Sequence, residues 1–558
     1  MPLSRRDLLA AGFGLAATAC TTDGTSPEPT ASSTTEPTTT GASSTTTSVA
    51  TTSTTANAVA EVEAPGYDGA SPFDLGVASG DPEATSVVLW TRLHTSSGEQ
   101  IVSGDQQIAV DVARDSEFGD LVHSSIEPAL AAHGHSMHFV ANGLEDDTWY
   151  WYRFRVGAHT SATGRTRTVP ADGGTPLRFG FSSCQHWETG AYAAHRHLAE
   201  ADLDLFVWLG DYIYESGPSG ISITTALGPR VHNSPEVETL EAYRARYALY
   251  KSDPDLQAHH AARPWIVTWD DHEVDNNHAG LTTQDGQDAV AFAQRRQAAH
   301  QAWWENMPVR LDPPTPGAEF PIYRCTQWGA LLDLHMLDGR QYRDPQPTDG
   351  EPLVIPGIGD LGVRLLGPTA LDPEHTMLGV EQRAWLEQEV AASTATWNVL
   401  GNQVYMHGLN AFPGTAPATN TDSWDGYHGE RMALLENLAS TSDNLIVLSG
   451  DFHAATAAEV RSDPFDLDAP VLATEFMAPA ISSTFPESLR GLAPLVLGIN
   501  PQVRHFSPEN GYMVCEVTET DWTTEIHLLT DRTSEASAVA LDSSWRVQAG
   551  STGITSVS

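Results

Sequence analysis

Four short segments, far apart in the chain, each place metal-binding or acid–base side chains directly after an apolar run. They are Ser183-Cys184-Gln185, Gly210-Asp211-Tyr212-Ile213-Tyr214, Trp269-Asp270-Asp271-His272-Glu273 and Gly450-Asp451-Phe452-His453. Cys184 offers a thiolate, Asp211, Asp271 and Asp451 carboxylates, Tyr214 a phenolate, and His272 and His453 imidazoles. Four ionisable groups in a row at Asp270 to Glu273 cost free energy behind a buried strand unless cations compensate them. Asp271 and His272 follow that strand most closely. Asp451 and His453 stand at i, i+2, which puts both side chains on one side of an extended segment. Tyr214 lies three residues beyond Asp211, within reach of whatever that carboxylate binds. Gly210 lets the chain turn tightly before it. The set is what a multinuclear metal centre requires, and thiolate plus phenolate favours iron over magnesium, while carboxylates suit calcium. Asn402, after the Trp397-Asn398-Val399-Leu400 run, is a further candidate for contact with metal or substrate, although a turn role fits it equally.

These groups must be carried by strands. Leu177 to Phe181, Leu203 to Leu209, Trp265 to Trp269 and Leu445 to Leu448 read as buried strands whose ends deliver the polar residues to one edge. In open α/β sheets that edge is where ligands bind. Helical patterns near 190–200, 234–260, 284–306, 379–392 and 424–440 alternate with strand patterns near 322–337, 396–404, 445–450, 470–477, 511–518 and 523–529. The alternation predicts an α/β layered domain over residues 171–558. Pro- and Gly-rich stretches at 339–372 and 412–424 are expected to loop over the site. Residues 65–170 instead alternate apolar and polar, with no long amphipathic helix, and predict a separate N-terminal Ig-like β-sandwich.

The start of the chain reads as an export apparatus. Ser4-Arg5-Arg6-Asp7-Leu8-Leu9 is a twin-arginine pattern followed by a short apolar stretch, so residues 1–20 are read as a signal peptide handed to the Tat translocon. Ala17-Thr18-Ala19-Cys20 resembles a lipobox, which makes Cys20 a candidate for lipidation; simple cleavage and release is the alternative. Residues 21–64 are dominated by Ser, Thr and Pro over most of their length and are expected to form a disordered tether, because they cannot bury enough apolar area to offset ordering. The expected location is extracellular, free or anchored to the outer face of the cell membrane, with the membrane contacted only through that lipid.

Composition narrows the partners. The 558 residues hold 72 acidic against 29 basic side chains, a formal charge of -43, and Lys251 is the sole lysine. Such a surface repels nucleic acid and anionic membrane. Of the four cysteines, Cys20 falls in the processing region and Cys184 in the candidate site; Cys325 and Cys515 are read as either paired or buried and free.

Taken together, the motifs resemble those of the PhoD-type alkaline phosphatases, within the calcineurin-like and purple acid phosphatase group of metallophosphoesterases. Further matches are Phe73-Asp74-Leu75-Gly76-Val77-Ala78-Ser79-Gly80-Asp81-Pro82, similar to that family's N-terminal β domain, Leu337-Asp338-Gly339-Arg340-Gln341-Tyr342-Arg343, and Leu378-Gly379-Val380-Glu381-Gln382-Arg383-Ala384-Trp385-Leu386. The resemblance implies Fe(3+) held by Cys184, Asp211, Tyr214 and His453, with Asp211 bridging to Ca(2+) held partly by Asp271 and Asp451. It departs from other calcineurin-like enzymes in offering Cys184 where they carry an aspartate–histidine pair, and Asp271 where they use asparagine.

The reaction expected is hydrolysis of phosphate mono- or diesters, with clustered cations activating water and neutralising developing charge. His272 is the candidate proton donor to the leaving oxygen, and Arg340 a candidate phosphate clamp. Two other readings stand beside it: a phospholipase D-type phosphodiesterase, and a non-enzymatic cell-surface binding protein with a structural metal.

Overall fold

The computed structural model describes residues 59–95, 104–218, 228, 230–284, 286–355, 359–412, 417–491 and 493–557. The expected signal peptide, Cys20 and most of the expected tether therefore lie outside the described residues.

Two large mixed sheets face each other. The first runs in the order Ile554–Val557, Val539–Gln548, Asp521–Leu529, Gly511–Val517, Leu177–Ser182, Leu205–Trp208, Pro264–Val267, Val77–Glu83, Ser86–Arg92, Ser136–Asn142. The second runs Arg324–Trp328, Leu332–Met336, Trp397–Gly401, Leu445–Ser449, Val471–Met477, Ala455–Arg461, Val503–Ser507. Phe179, Phe181, Leu205, Val207 and Ile266 from one meet Leu334, Val399, Ile446, Leu448 and Phe476 from the other in a buried core. Because both faces of these central strands are covered, they read as unbroken apolar runs.

Helices cover the two outer faces. Tyr243, Tyr247 and Tyr250 of Leu240–Lys251 and Phe292, Ala299 and Trp303 of Ala289–Asn306 pack with Phe206, Trp208 and Trp265 of the first sheet. Leu386 and Val390 of Gly379–Ala392 and Leu434, Leu435 and Leu438 of His428–Ala439 pack with Leu400, Leu445 and Val447 of the second. The result is the layered α/β sandwich that the alternation predicts. The single helix expected across 234–260 is two: Asp253 caps the second one, accepting Leu256 N–H at 2.9 Å, and Pro254 occupies its first turn. Proline has no N–H to continue the preceding helix, so the break falls there.

The N-terminal expectation needs correction. Residues 65–170 do contribute two layers around their own core, with Val87, Leu89 and Met137 on one side and Val110, Tyr152 and Phe154 on the other. One of those layers is not separate, however. Val77–Glu83 pairs in parallel with Pro264–Val267, Ser79 opposite Pro264 and Gly80 opposite Trp265. Periodicity reports which faces of a strand are buried but not which strand lies beside it, so this pairing could not be read from sequence.

The stretches expected to be plain loops also hold structure. Gly359–Leu365 pairs with both Pro352–Ile355 and Ala418–Thr419 in a three-stranded sheet, which fixes the approach of the residues after Thr419. Cys325 and Cys515 are both free and lie on different large sheets.

Candidate metal centre

The parallel strands Leu177–Ser182, Leu205–Trp208 and Pro264–Val267 end side by side, and their extensions pair before they diverge. Cys184 N–H donates to Gly210 O at 3.1 Å, and Gln185 N–H to Asp211 O at 3.1 Å. The second sheet reaches the same place: Ser183 bridges to Ala480, and Ala478 N–H donates to Ser449 O at 2.8 Å. Asp451 and His453, just beyond Ser449, thus meet the ends of the first sheet.

The backbone at these positions is unusual. Cys184, Asp211, Asp451 and His453 all adopt left-handed conformations, with φ of 57°, 57°, 60° and 56°. For non-glycine residues such geometry costs of the order of 1–3 kcal/mol each and clusters where function demands a particular aim. Gly210 has φ 108°, and a Cβ there would lie 2.5 Å from the Asp270 Cβ, so only glycine lets the two strand ends approach.

Three overlapping donor sets result. Ligand atoms of Cys184, Asp211 and His453 lie within 4.8 Å of one another, as do those of Asp211, Asp271 and His272, and of Asp270, Asp271 and Asp451. Tyr214 Oη joins the first set, donating to Asp211 Oδ2 at 2.8 Å and lying 3.2 Å from His453 Nε2. His453 Nδ1 faces the Thr484 carbonyl at 3.3 Å; donation there leaves Nε2 with its lone pair directed at the cluster.

Electrostatics say what the site can hold. Burial pushes the Asp211 carboxyl, the Cys184 thiol and the Tyr214 phenol well above their ordinary ranges, and for the last two the neighbouring Asp211 adds to the effect. Burial likewise raises Asp451, with Asp270 next in weight, and lifts Asp270 to about 6 against the pull of Arg340. Buried Asp270 Oδ2 and Asp271 Oδ1 have no hydrogen-bond partner. Asn277, with its amide in the orientation that satisfies both ends, donates Nδ2–H to Asp422 Oδ2 and Asp271 Oδ2 at 3.2 Å each. Crowded carboxylates with oxygens left unbonded fit bound cations.

The expected ligands Cys184, Asp211, Tyr214, Asp271, Asp451 and His453 are therefore brought together, and His272 with them. Its Nδ1 lies 2.7 Å from Glu215 Oε2. Although burial opposes charge, Glu215, then Asp271 and Asp211, raise the His272 pKa well above the usual range, as suits a proton donor.

Two expectations fail. Arg340 is fully buried and its guanidinium is already committed to carboxylates: Nε donates to Asp270 Oδ1, Nη1 donates to Asp422 at 3.0 and 2.9 Å, and Nη2 lies 3.5 Å from Asp451 and 3.6 Å from Asp271. It is the counter-charge of the acidic cluster rather than a phosphate clamp. Asn402 is also buried, its Oδ1 accepting from Trp424 Nε1 at 3.2 Å and its Nδ2 donating to the Val404 carbonyl. It is bonded at both ends of its amide and fully buried, and it fixes a turn.

The sequence reading gives Asp270 and Glu273 no role beyond their acidic run and does not reach Asp422 or Asn277. Asp422 binds Arg340 and Arg343, the latter at 2.7 Å, and was signalled only by its place in a stretch expected over the site. Glu273 accepts the N–H groups of Asp211, Tyr212 and Asp270 at 3.0, 2.6 and 2.9 Å. It ties two strand ends together, a role that the acidic run alone does not reveal.

Residues 179–526 match the family model of the PhoD-like phosphatases, and residues 38–170 that of the PhoD-like phosphatase N-terminal domain. The chain belongs to the PhoD-like phosphatase family. It is 38% identical over 504 residues to alkaline phosphatase D of Bacillus subtilis strain 168, covering 89% of this chain and 84% of that one. A solved structure described as PhoD superposes with a TM-score of 0.81 at 37% identity, covering 89% of this chain and 94% of the other. This PhoD-like chain is accordingly a phosphoric ester hydrolase, which sets aside the reading as a non-enzymatic binding protein.

Proposed function

We propose that this PhoD-like phosphatase is an exported enzyme that hydrolyses phosphate monoesters, diesters or both at a mixed iron and calcium centre. The observation that carries the proposal is the convergence of Cys184, Asp211, Tyr214 and His453 on one edge of the three carboxylates Asp270, Asp271 and Asp451. The thiolate and phenolate set would hold Fe(3+), and the carboxylates would hold Ca(2+), with Asp211 common to two donor groups. Bound cations supply a water of lowered pKa and neutralise charge on the phosphoryl oxygens. They also offset the repulsion that a chain of formal charge -43 exerts on any phosphoester.

The chain's own residues do the rest. His272, held by Glu215 at 2.7 Å, keeps its imidazolium Nε2 proton for the departing alkoxide. Arg340 pairs with the surrounding acidic side chains, offsets their mutual repulsion and so fixes their positions. Phe452, between Asp451 and His453, packs edge-on against Tyr405 and Phe485 at 5.3 and 5.6 Å. Tyr405 and Phe485 are buried, so the three rings form a small core that seats the turn carrying Asp451 and His453.

Elemental analysis of the purified enzyme tests the metals, and parallel turnover of nitrophenyl phosphate, its bis ester and phosphatidylcholine vesicles tests the substrate class. Absence of iron, or inertness toward all three with metals replete, would defeat the proposal. Export by the Tat pathway, with release or lipidation at Cys20, is proposed from Arg5-Arg6 and the following residues. Arg5→Lys with Arg6→Lys should leave the enzyme in the cytoplasm.

A further inference from the structure

The segment Ile481 to Thr484 touches three of the four residues of the thiolate–phenolate half without itself offering a strong ligand. Ile481 N–H donates to Ser183 O at 3.0 Å, and Ser482 and Ser483 N–H donate to Cys184 O at 3.3 and 3.1 Å. Thr484 O receives His453 Nδ1 at 3.3 Å. Ser483 Oγ donates to Tyr214 Oη at 2.7 Å, and the same Oγ accepts His186 N–H at 3.1 Å. The segment is anchored from behind, because Asn510 Nδ2 donates to Ser483 O at 2.6 Å. Ser483 is buried at 2% exposure, so bulk water does not compete for its hydroxyl.

The neighbouring His186, Glu188 and His232 also bring donor atoms within 4.8 Å of one another. They do not make a second metal site. His186 Nδ1 accepts Glu188 N–H at 3.0 Å, which leaves the ring proton on Nε2 and turns that nitrogen from a ligand into a donor. The His186 ring instead packs 4.4 Å from that of Tyr214, and His186 joins Ser483 in fixing the phenol.

We propose that Ser483 is a positioning residue that tunes the Tyr214 phenolate by a hydrogen bond to its oxygen, and through it the electron density at the metal. The inference rests on the reading of Tyr214 as an iron ligand. A hydrogen bond to a ligating oxygen withdraws electron density from it, and partners of this kind set metal affinity and redox poise as the ligands do. Without the Ser483 hydroxyl the phenolate becomes the stronger donor. Its charge-transfer absorption should then move to longer wavelength, and the ferric state should become harder to reduce.

The test compares the visible spectrum and reduction potential of metal-loaded wild type, Ser483→Ala and Ser483→Thr, with iron content measured for each. A phenolate-to-iron band that shifts to longer wavelength in Ser483→Ala and returns in Ser483→Thr supports the inference. An unshifted band in an iron-replete Ser483→Ala overturns it. A wild type with bound iron but no such band instead overturns the assignment of Tyr214. If Ser483→Ala fails to fold, resonance Raman spectra of wild type in H2O and D2O decide the matter. A phenolate C–O stretch insensitive to exchange would refute the hydrogen bond, and a shifted one would support it.

Discussion

At the scale of single residues, the centre separates groups that bind from groups that hold the binders apart. Removing a ligand should abolish activity without unfolding the protein. Cys184→Ala and Tyr214→Phe are expected to lower kcat at least ~100-fold and to lose iron; metal content and thermal midpoint measured together check this. His272→Asn keeps a polar group of similar size but no ionisable proton, so kcat should fall about 100- to 10,000-fold. Poor alkoxide leaving groups should lose more than nitrophenolate, which needs no proton. Arg340 behaves differently because it faces Asp270, Asp271, Asp422 and Asp451 at once. Arg340→Ala strands buried carboxylates and should cost roughly 3–5 kcal/mol in urea unfolding. A residue that only clamped phosphate would instead raise KM at unchanged stability.

At the scale of elements, the strand ends are fixed by carboxylate-to-backbone bonds as much as by sheet pairing. Glu273→Ala leaves the N–H groups of Asp211, Tyr212 and Asp270 without their acceptor. The expected loss is roughly 2–5 kcal/mol, seen as a lower urea midpoint, with Glu273→Gln restoring part of it. What was legible in the sequence follows the same division. Leu205–Trp208, Pro264–Val267 and Leu445–Ser449 could be read because each is an apolar run bounded by chemistry. Cys184, Asp211, Tyr214 and His453 could be read because each stands immediately beyond such a run or within a short turn of it. Asp422 could not: its partner Arg340 lies 82 positions away and no pattern links them. Arg340 reads as a phosphate clamp for the same reason, since an arginine among motif residues looks free until its neighbours are known. Strands such as Ala455–Arg461 and Val539–Gln548 carry no legible strand pattern, the first for its alanines and the second for its exposed polar face.

At the scale of the whole molecule, charge and burial set the conditions under which the enzyme survives. Burial keeps His195 and His300 neutral, with pKa values pushed down to about 3. In the unfolded chain these rings take up protons near pH 6.5. Their contribution is thus fully present above about pH 6.5 and is lost as pH falls toward about 3, because the unfolded state then binds more protons. The urea midpoint should fall across that window, and His300→Gln should flatten the slope. The formal charge of -43 acts at any neutral pH. Self-repulsion should make the melting temperature rise with salt over the range where the screening length shrinks from about 30 to about 8 Å.

The pairing of Val77–Glu83 with Pro264–Val267 has a consequence for how such a chain can be rearranged by evolution or in the laboratory. Ser86–Arg92 and Ser136–Asn142 continue the same sheet outward, so cutting the chain near residue 170 does not detach a module. It bares the edge of the very strand whose extension carries Asp270 and Asp271, and an open edge invites pairing with another chain. A gene fragment encoding only the later residues should yield an aggregating product rather than a smaller enzyme. The amino-terminal segment and the catalytic part share backbone hydrogen bonds, so shuffling one without the other should break the sheet that aims the site.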